Sequence, residues 1–406
     1  WSLSIQRQLP MGFVMQAAYI GRRGLRLFRA YDINEISADP ILPSFLIMQQ
    51  NVAKGCTAAG TGCPAGVTGT TPPIVASGIV TASFVNSGTV AGQLATNAAG
   101  SFAVRVENTT LAAKLRPNQQ FSRITYIDSG GDSYYHAMQI TLRRRFSSNF
   151  GLDLAYTFGK SIDDQSVDPV GTSSNGGIGT STTTSRSPAD IRNWREERAR
   201  SDFDRRHVLT IASVWDLPFG RGQRFLRDAR GVVNQILGGW ELNSIYTFMS
   251  GEPFSVRSGV LTSNGTHVSR ALLTDPTIKA RLQTVPGFVG PGVFANSQGF
   301  AIPPPGSNGS GRNIFTAPSY WNHDLGIIKT FHLTERMRLQ FRTEMFNALN
   351  HPNFDNPRDA SVGSPTFTSS LFGSTCCATV APNTTTNVIQ TGEAARVIQF
   401  GLKLNW

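Results

Sequence analysis

Residues 396–406, RVIQFGLKLNW, are the most informative stretch of the chain, because their side chains alternate strictly in character. One set is apolar and the other small or polar with one valine: Ile398, Phe400, Leu402, Leu404 and Trp406 against Val397, Gln399, Gly401, Lys403 and Asn405. A side-chain period of two predicts a β-strand. A strand of about ten residues with one apolar face can cross a bilayer at a tilt. The alternative is an amphipathic strand that ends a soluble sandwich.

Eight further runs show the same alternation, so that the whole chain predicts nine strands. These runs are residues 1–9, 13–20, 135–146, 151–160, 207–217, 240–249, 323–333 and 336–350. Aromatic residues occur near the ends of the runs, as they do in the interfacial girdles of membrane barrels. They include Trp1, Tyr19, Trp215, Trp240, Phe331 and Trp406. In a soluble protein the same aromatic side chains would lie in the core.

The connections between the runs alternate in length. Residues 10–12, 147–149 and 333–335 are tight turns, residues 21–133, 161–205, 250–322 and 351–394 are long, and 218–239 is intermediate. Short turns on one side and long loops on the other are typical of an outer-membrane barrel, whose short turns are periplasmic. A soluble sandwich requires no such alternation. The pattern therefore favours an antiparallel transmembrane β-barrel with long extracellular loops.

The strand count also predicts that the barrel is incomplete. Residues 121–128 resemble a short strand, but a tenth crossing there would put the longest loop on the periplasmic side. We therefore expect residues 121–128 to lie above the membrane, within a long, low-complexity surface loop. Nine crossings remain, and single-chain bacterial barrels have even strand numbers.

Composition agrees with this interpretation. The chain of 406 residues is 40% hydrophobic and 16% charged, with 40 Gly and 22 Pro, a mixture that suits many strands and polar loops. No apolar run approaches the 18 residues of a membrane helix. The net charge of +11 comes mostly from scattered arginines, and the one triplet, residues 143–145, ends a strand. We therefore expect no nucleic-acid partner.

Little in the sequence points to catalysis or to a cofactor. The six His residues form no H-E-x-x-H or similar metal-binding pattern. The adjacent Cys376 and Cys377 are poor metal ligands, whereas Cys56 and Cys63, in a glycine-rich loop, suit a small disulfide in an oxidising compartment. We expect no enzyme activity, no metal and no cofactor. Asp163 and Asp164 follow a strand, where they could either bind a cation or be solvated.

One strand carries an unusual polar face. Its members are Arg338, Gln340, Arg342 and Glu344, and they alternate with apolar side chains. Three ionisable groups in a row are costly against lipid, so we expect these four to face the lumen of a barrel. Two roles remain open for them. They could line a substrate path or contact a plug, or opposite charges could pair across the inner wall.

Several runs also resemble a known family. They are HAMQITLRRRF, GLDLAYTFGKSIDD, SDFDRRHVLTIASVWDLPFGRG, GGWELNSIYTFMSGEPFSV, RMRLQFRTEMFNALNHPNF and RVIQFGLKLNW. In this order they resemble the C-terminal half of the barrel in Oar-like TonB-dependent outer-membrane receptors. The resemblance implies a 22-stranded barrel with an N-terminal plug. Residues 1–406 would then be the C-terminal part of the barrel domain, with the plug and the N-terminal strands missing.

The resemblance also implies partners. Phe400, Leu402, Leu404 and Trp406 would form the terminal signal that the barrel assembly machinery reads, although Phe is commoner than Trp at the last position. The TonB complex would act through the missing plug, outer-membrane lipid would surround the barrel, and an unidentified large or scarce solute would be taken up. Alternatives are a non-transporting surface barrel with a structural or adhesive role, and a soluble secreted adhesin.

Overall fold

A computed structural model describes most of the chain. The described residues are 1–109, 114–166, 188–286, 291–334, 336–354, 356–357, 365–370, 372–375 and 395–406. Cys376 and Cys377 lie outside them, together with much of the connection before the last strand.

Nine long strands run through the described residues. They are β1 (Ser2–Gln8), β2 (Phe13–Asp32), β3 (Thr125–Ser147), β4 (Phe150–Asp163), β5 (His207–Asp216), β6 (Trp240–Met249), β7 (Tyr320–His332), β8 (Arg338–Phe346) and β9 (Val397–Asn405). All pair antiparallel with their neighbours in chain order, and the two-residue strand Ala199–Arg200 adds to β4. The predicted antiparallel set of nine strands is therefore confirmed. Within the described residues the sheet is open, with β1 and β9 at its edges.

Two strands are longer than their sequence pattern predicts. Strand β2 continues to Asp32, and β3 begins at Thr125, so that part of the predicted separate strand 121–128 belongs to β3. Register shifts between Leu25 and Leu27 and between Leu27 and Arg29 interrupt the pairing of the two strands. A bulge adds a residue and changes which side chains share a face, so the alternation is lost there although the pairing continues.

The connection from β2 to β3 is not the low-complexity surface loop that its composition suggests. Its described residues contain five α-helices, α1 (Leu42–Ala53), α2 (Pro73–Ala76), α3 (Ala82–Val85), α4 (Gly88–Ala95) and α5 (Ala99–Glu107). Together they enclose a core that includes Phe45, Met48, Val90, Phe102 and Val106. The sequence contains part of the signal for these helices. Val90 and Leu94, like Phe102 and Val106, are four residues apart and share a helix face.

A second core lies mainly in the connection from β6 to β7. The short strands Pro253–Phe254 and Phe315–Thr316 pair there, as do Leu272–Leu273 and Phe300–Ala301. Phenylalanine rings form most of this core, namely Phe254, Phe294, Phe300, Phe315 and Phe372. The last of these comes from the connection between β8 and β9.

The two cores are joined by backbone hydrogen bonds between connections that are far apart in sequence. The amide of Ala38 donates to the carbonyl of Ser263 at 2.9 Å, and that of Gly100 donates to Leu261 at 2.9 Å. A Cβ atom at Gly100 would lie 2.0 Å from the carbonyl oxygen of Asn264, so only glycine fits this approach. We call the described residues of the long connections after β2, β4, β6 and β8 the loop assembly. It lies at one end of the sheet, the loop end.

The opposite end of the sheet, the turn end, carries the shorter connections. The turn between β1 and β2 contains Met11 at φ 62° and Gly12 at φ 78°, and that between β3 and β4 contains Ser148 and Asn149 at φ 50° and 65°. The connection from β5 to β6 is longer and contains α6 (Gly231–Leu237). In the described part of the chain, no helix combines the length and the apolar character that spanning a membrane requires.

Candidate functional site

The register of the last two long strands places the predicted polar residues on one face. Residues that pair across an antiparallel sheet project on the same side. Gln340 pairs with Lys403, Arg342 with Gly401 and Glu344 with Gln399. The polar side chains of β8 and β9 therefore share a surface, which we call the polar face.

The polar face continues across the whole sheet, because each pairing carries the alternation to the next strand. Its polar and small members include Ser4, Gln6, Gln16, Gln139, Thr141, Arg143, Asp153, Thr157, Thr210, Asp216, Glu241, Asn243, Asn322, Asp324 and Thr330. A minority of apolar side chains, such as Val14, Ile245 and Ile328, lie among them. The surface is thus polar from the first strand to the last.

The other side of the sheet is the apolar face. Leu339 pairs with Leu404, Phe341 with Leu402 and Ile327 with Leu242. Aromatic residues concentrate at both ends of this face. Phe13, Phe150, Trp215, Trp240 and Phe331 lie at the turn end, and Tyr19, Phe158, Phe248 and Trp321 lie at the loop end. Two aromatic belts therefore border an aliphatic zone.

The charged residues of β8 form a strip on the polar face. Nε of Arg342 donates to Oε1 of Gln340 at 2.9 Å, along the same strand. Among the described residues Glu344 takes part in no ion pair, although Arg342 is two positions away on the same face. Pairing of opposite charges, one of the two predicted roles, is thus not seen at Glu344 in the described part of the chain, although elsewhere on the polar face Nε of Arg143 donates to Oδ1 of Asp153 at 3.2 Å. The strip leaves both a guanidinium and a carboxylate available to a ligand.

The residues of the expected terminal signal lie on the apolar face of the edge strand. Phe400, Leu402 and Leu404 pair with Thr343, Phe341 and Leu339. The rings of Phe400 and Phe341 stack with centroids 6.0 Å apart. Leu402 is 70% exposed and the following Trp406 is 89% exposed. These four side chains are therefore open to lipid or to another protein along this edge.

The two cysteines of the glycine-rich loop are joined in the structure. A disulfide links Cys56 and Cys63 shortly after α1. It closes a loop that packs against the helical core through Ala58 and Ala59. The disulfide lies in the loop assembly, far along the chain from any residue of the polar strip.

Asp163 and Asp164 follow neither predicted role, because both are held by arginines of distant segments. Asp163 is buried and accepts hydrogen bonds from Arg312 and from Oγ of Ser166 at 2.8 Å. Asp164 lies 3.7 Å from a guanidinium nitrogen of Arg29. In the described part of the chain no three His, Cys, Asp or Glu residues are grouped so that they could hold a metal ion.

Buried ion pairs hold the loop assembly together, and the sequence did not reveal them. Nη1 of Arg270 lies 2.9 Å from Oε1 of Glu197, with both side chains at most 6% exposed. Asp204 is likewise buried and accepts a hydrogen bond from Nε of Arg200 at 2.7 Å. The charge-dense run WREERARSDFDRR was a signal for such pairing, but the partner of Glu197 is 73 residues away.

Two neutral ionisable groups lie at the junction of the cores. Burial, and then Asp190 and Asp32, raise the pKa of the Glu35 carboxyl to about 8. Burial lowers the pKa of the His267 imidazole well below its ordinary range, and Arg257 and Arg270 add to this effect. Both groups are therefore uncharged near neutral pH. The stability of this junction therefore decreases when a higher pH ionises Glu35 and also when a lower pH protonates His267.

Comparison with known families finds one that covers nearly the whole chain. A family model described as an outer membrane beta barrel domain matches residues 1–399. No curated protein matches the chain. No solved structure matches it either. The family match confirms the predicted barrel class and the outer-membrane location, and its description is broader than the Oar-like receptor subtype.

Proposed function

The chain belongs to the family of outer-membrane β-barrel domains, and on that premise we propose that it forms part of the wall of a TonB-dependent receptor that takes up a large or scarce solute. The charged strip of β8 is the observation that carries this proposal. Arginine and glutamate on the lipid side of a barrel strand are costly, whereas lumen positions tolerate them and tune selectivity. The apolar face with its two aromatic belts then contacts lipid.

The strip supports binding better than a purely structural role. Arg342 is hydrogen-bonded to neutral Gln340, and Glu344 has no cationic partner in the described residues. A guanidinium on a polar wall can hold carboxylate or phosphate groups of a solute or of a plug. The loop assembly at the mouth of the polar face provides an ordered entrance, because its buried cores and ion pairs hold distant connections together.

The energised form of the proposal rests on the resemblance of the strand runs to Oar-like receptors. The TonB complex would contact the plug and thereby supply the energy for uptake of the solute. The barrel assembly machinery would recognise the exposed apolar side of the terminal strand. These partners are part of the proposal, and the dependence on the TonB complex is the part that the following experiment tests.

The experiment compares uptake by cells that carry the full-length protein. Glycans, peptides and metal chelates are supplied singly as limiting nutrients, with and without the TonB complex. We expect growth on at least one of them to require both the protein and TonB. Growth that requires the protein but not TonB would overturn the receptor proposal. Attachment to surfaces without any growth effect would favour the adhesive alternative.

Variants of the strip test its role once a nutrient is found. Arg342→Gln together with Glu344→Gln should lower uptake several-fold while the amount of folded protein in the membrane stays unchanged. Thr343→Val, between them on the apolar face, is the matched control and should have no effect. Normal uptake by the double variant would exclude the strip from the solute path.

A further inference from the structure

The connection from β5 to β6 differs from the other connections at the turn end of the sheet. Residues 217–239 form a compact unit that starts with a hydrogen bond from the amide of Leu217 to the carbonyl of Trp240 at 2.9 Å. The amide of Phe225 donates to Pro218 at 2.9 Å and brings the rings of Phe219 and Phe225 within 5.5 Å. The unit ends with α6. A simple turn would not need this length.

Helix α6 turns its polar side toward the protein. Oδ1 of Asn234 accepts a hydrogen bond from the amide of Arg221 at 2.7 Å. Nε2 of Gln235 donates to the carbonyl of His332 at 3.0 Å, at the end of β7. These two contacts fix the rotation of the helix about its axis.

The apolar side of α6 faces away from the protein. Val232 is 72% exposed, and Val233, Ile236 and Leu237 are between 45% and 59% exposed. At 3.6 residues per turn these four side chains lie on one side of the helix. A helix on the surface of a water-soluble domain has the opposite orientation, with its apolar stripe toward the core.

The exposed side of α6 is continuous with the apolar face of the sheet. Trp240 and Lys329 pair on that face at its turn end. The indole of Trp240 donates to the carbonyl of Ile236 at 2.8 Å, and Nζ of Lys329 donates to the carbonyls of Ile236 and Gly238. Both side chains therefore reach from the lipid-facing surface to the last turn of the helix. The cation there also offsets the partial negative charge of the helix C-terminus.

The segment that precedes α6 is strongly basic. It contains Arg221, Arg224, Arg227 and Arg230, all exposed, and Asp228 is the only acidic residue between 218 and 239. Basic residues next to an apolar helix face are the pattern of segments that bind anionic membrane surfaces. Arg144, at the turn end of β3, adds a further cation between the rings of Phe13 and Phe150.

We propose that residues 218–239 anchor the barrel to the periplasmic leaflet of the outer membrane. Helix α6 lies in the headgroup region with its four apolar side chains toward the acyl chains. The arginines before it contact the phosphates of anionic phospholipids. The occupant of this surface is thus lipid. The exposed side of α6 extends the apolar face of the sheet that contacts lipid, and the arginines before α6 carry the charge complementary to anionic headgroups.

The depth of α6 in the membrane is tested with the full-length protein in lipid nanodiscs of phosphatidylcholine and phosphatidylglycerol. An environment-sensitive fluorophore is attached to Val233→Cys, in a background where Cys376 and Cys377 are serine and the Cys56–Cys63 disulfide is kept. Val52→Cys is the matched control, because Val52 in the loop assembly is 49% exposed and Val233 is 50% exposed. We expect nitroxide lipids to quench the label at 233 and aqueous iodide to quench the label at 52.

Equal iodide quenching at both positions would overturn the proposal and would indicate a helix in water, available to a periplasmic protein. Folding of each variant is checked by heat modifiability on gels, and Ile236→Cys replaces Val233→Cys if the latter does not fold. The same quenching pattern is expected from either position.

Lipid charge is tested separately with nitroxide-labelled phosphatidylglycerol and nitroxide-labelled phosphatidylcholine at equal amounts. We expect the anionic lipid to quench the label at 233 at least about twofold more strongly, because juxtamembrane arginines attract anionic headgroups. The preference should disappear in Arg224→Gln with Arg227→Gln, and it should remain in Arg195→Gln, which alters the loop end. Equal quenching by the two lipids in the parent protein would exclude the anionic contact.

Discussion

In the loop assembly Phe45, Met48 and Phe102 are completely buried, whereas Leu3, Phe400 and Leu402 on the apolar face of the sheet are each at least 68% exposed. The two regions therefore place similar side chains in opposite environments. The loop assembly packs its apolar groups inside, as a domain in water does. The sheet presents them outside, which is stable only where the surroundings are as apolar as they are. One chain thus combines a loop assembly folded for water with a sheet whose apolar face is suited to lipid.

The largest expected effect concerns the loop assembly, the region that packs its apolar side chains inside. Phe102→Ala leaves a cavity beside Phe45 and Phe84, whose ring centroids lie 5.7 Å and 6.3 Å away. We expect a loss of about 3–5 kcal/mol in the stability of the loop assembly. Hydrogen exchange of residues 42–107 should rise while heat modifiability of the barrel stays unchanged. Phe400→Ala is the control, because it removes the same ring from an exposed site, and equal effects of both would contradict the comparison.

The next largest effect concerns the apolar face of the sheet and is tested at two adjacent residues of β8. Leu339→Arg puts a charge on the apolar face and should destabilise the folded barrel by about 2–4 kcal/mol near the membrane midplane. Gln340→Arg should be nearly silent, since Arg338 and Arg342 already occupy the polar face. The measurement is the folded fraction in membranes, by heat modifiability of the full-length protein.

A second readout of the same pair distinguishes lipid from a protein core. A cysteine at 339 should be quenched by a lipid-chain probe and should resist water-soluble maleimide, and a cysteine at 340 should behave in the opposite way. Equal maleimide labelling at both positions would end the membrane interpretation of the apolar face.

A smaller effect is expected from the disulfide of the loop assembly. Replacing Cys56 and Cys63 by serine removes the closure of a short loop, which stabilises by roughly 2–3 kcal/mol in the chain-entropy model. The loss should be confined to residues around α1 and should not reach the sheet, as hydrogen exchange can show. Mass spectrometry of unreduced peptides from exported protein should detect the linked pair. Two free thiols would refute the linkage.

The smallest expected effect is a pH dependence at the junction of the two cores. Between about pH 4.5 and 8 the folded assembly keeps a proton on Glu35 that the unfolded chain has lost, because the folded pKa is raised to about 8. Stability therefore falls as the pH rises through this window and stays constant above it. His267 acts in the opposite direction, since its pKa is lowered and its contribution is lost as the pH falls below about 6.5.

The test measures exchange of residues 33–38 between about pH 6.5 and 8, where His267 is already neutral. We expect a loss of at least about 1 kcal/mol in the parent protein, since one pKa unit corresponds to about 1.4 kcal/mol. Glu35→Gln cannot ionise and should remove the dependence. An unchanged slope in that variant would show that another group titrates.

The candidate site was partly predictable. Alternation alone placed Arg338, Gln340, Arg342 and Glu344 on one face, because side-chain direction in a strand depends only on position. The hydrogen bond from Arg342 to Gln340 was not predictable, since it depends on rotamers. The arginine partners of Asp163 and Asp164 could not be inferred either, because Arg312 and Arg29 lie 149 and 135 residues away along the chain.

The sequence by itself determined the nine strands, their two faces and the end of the sheet at which the long connections lie. These features follow from a local period of two and from the spacing of turns, which need no knowledge of distant contacts. The tertiary structure decided the rest. It extended β2 and β3 through bulges that disrupt the period, and it folded the glycine- and alanine-rich connection into five helices. Those helices are stable mainly through burial against one another, in a core whose described members come from residues 36–115, and such burial leaves only a weak trace in local sequence.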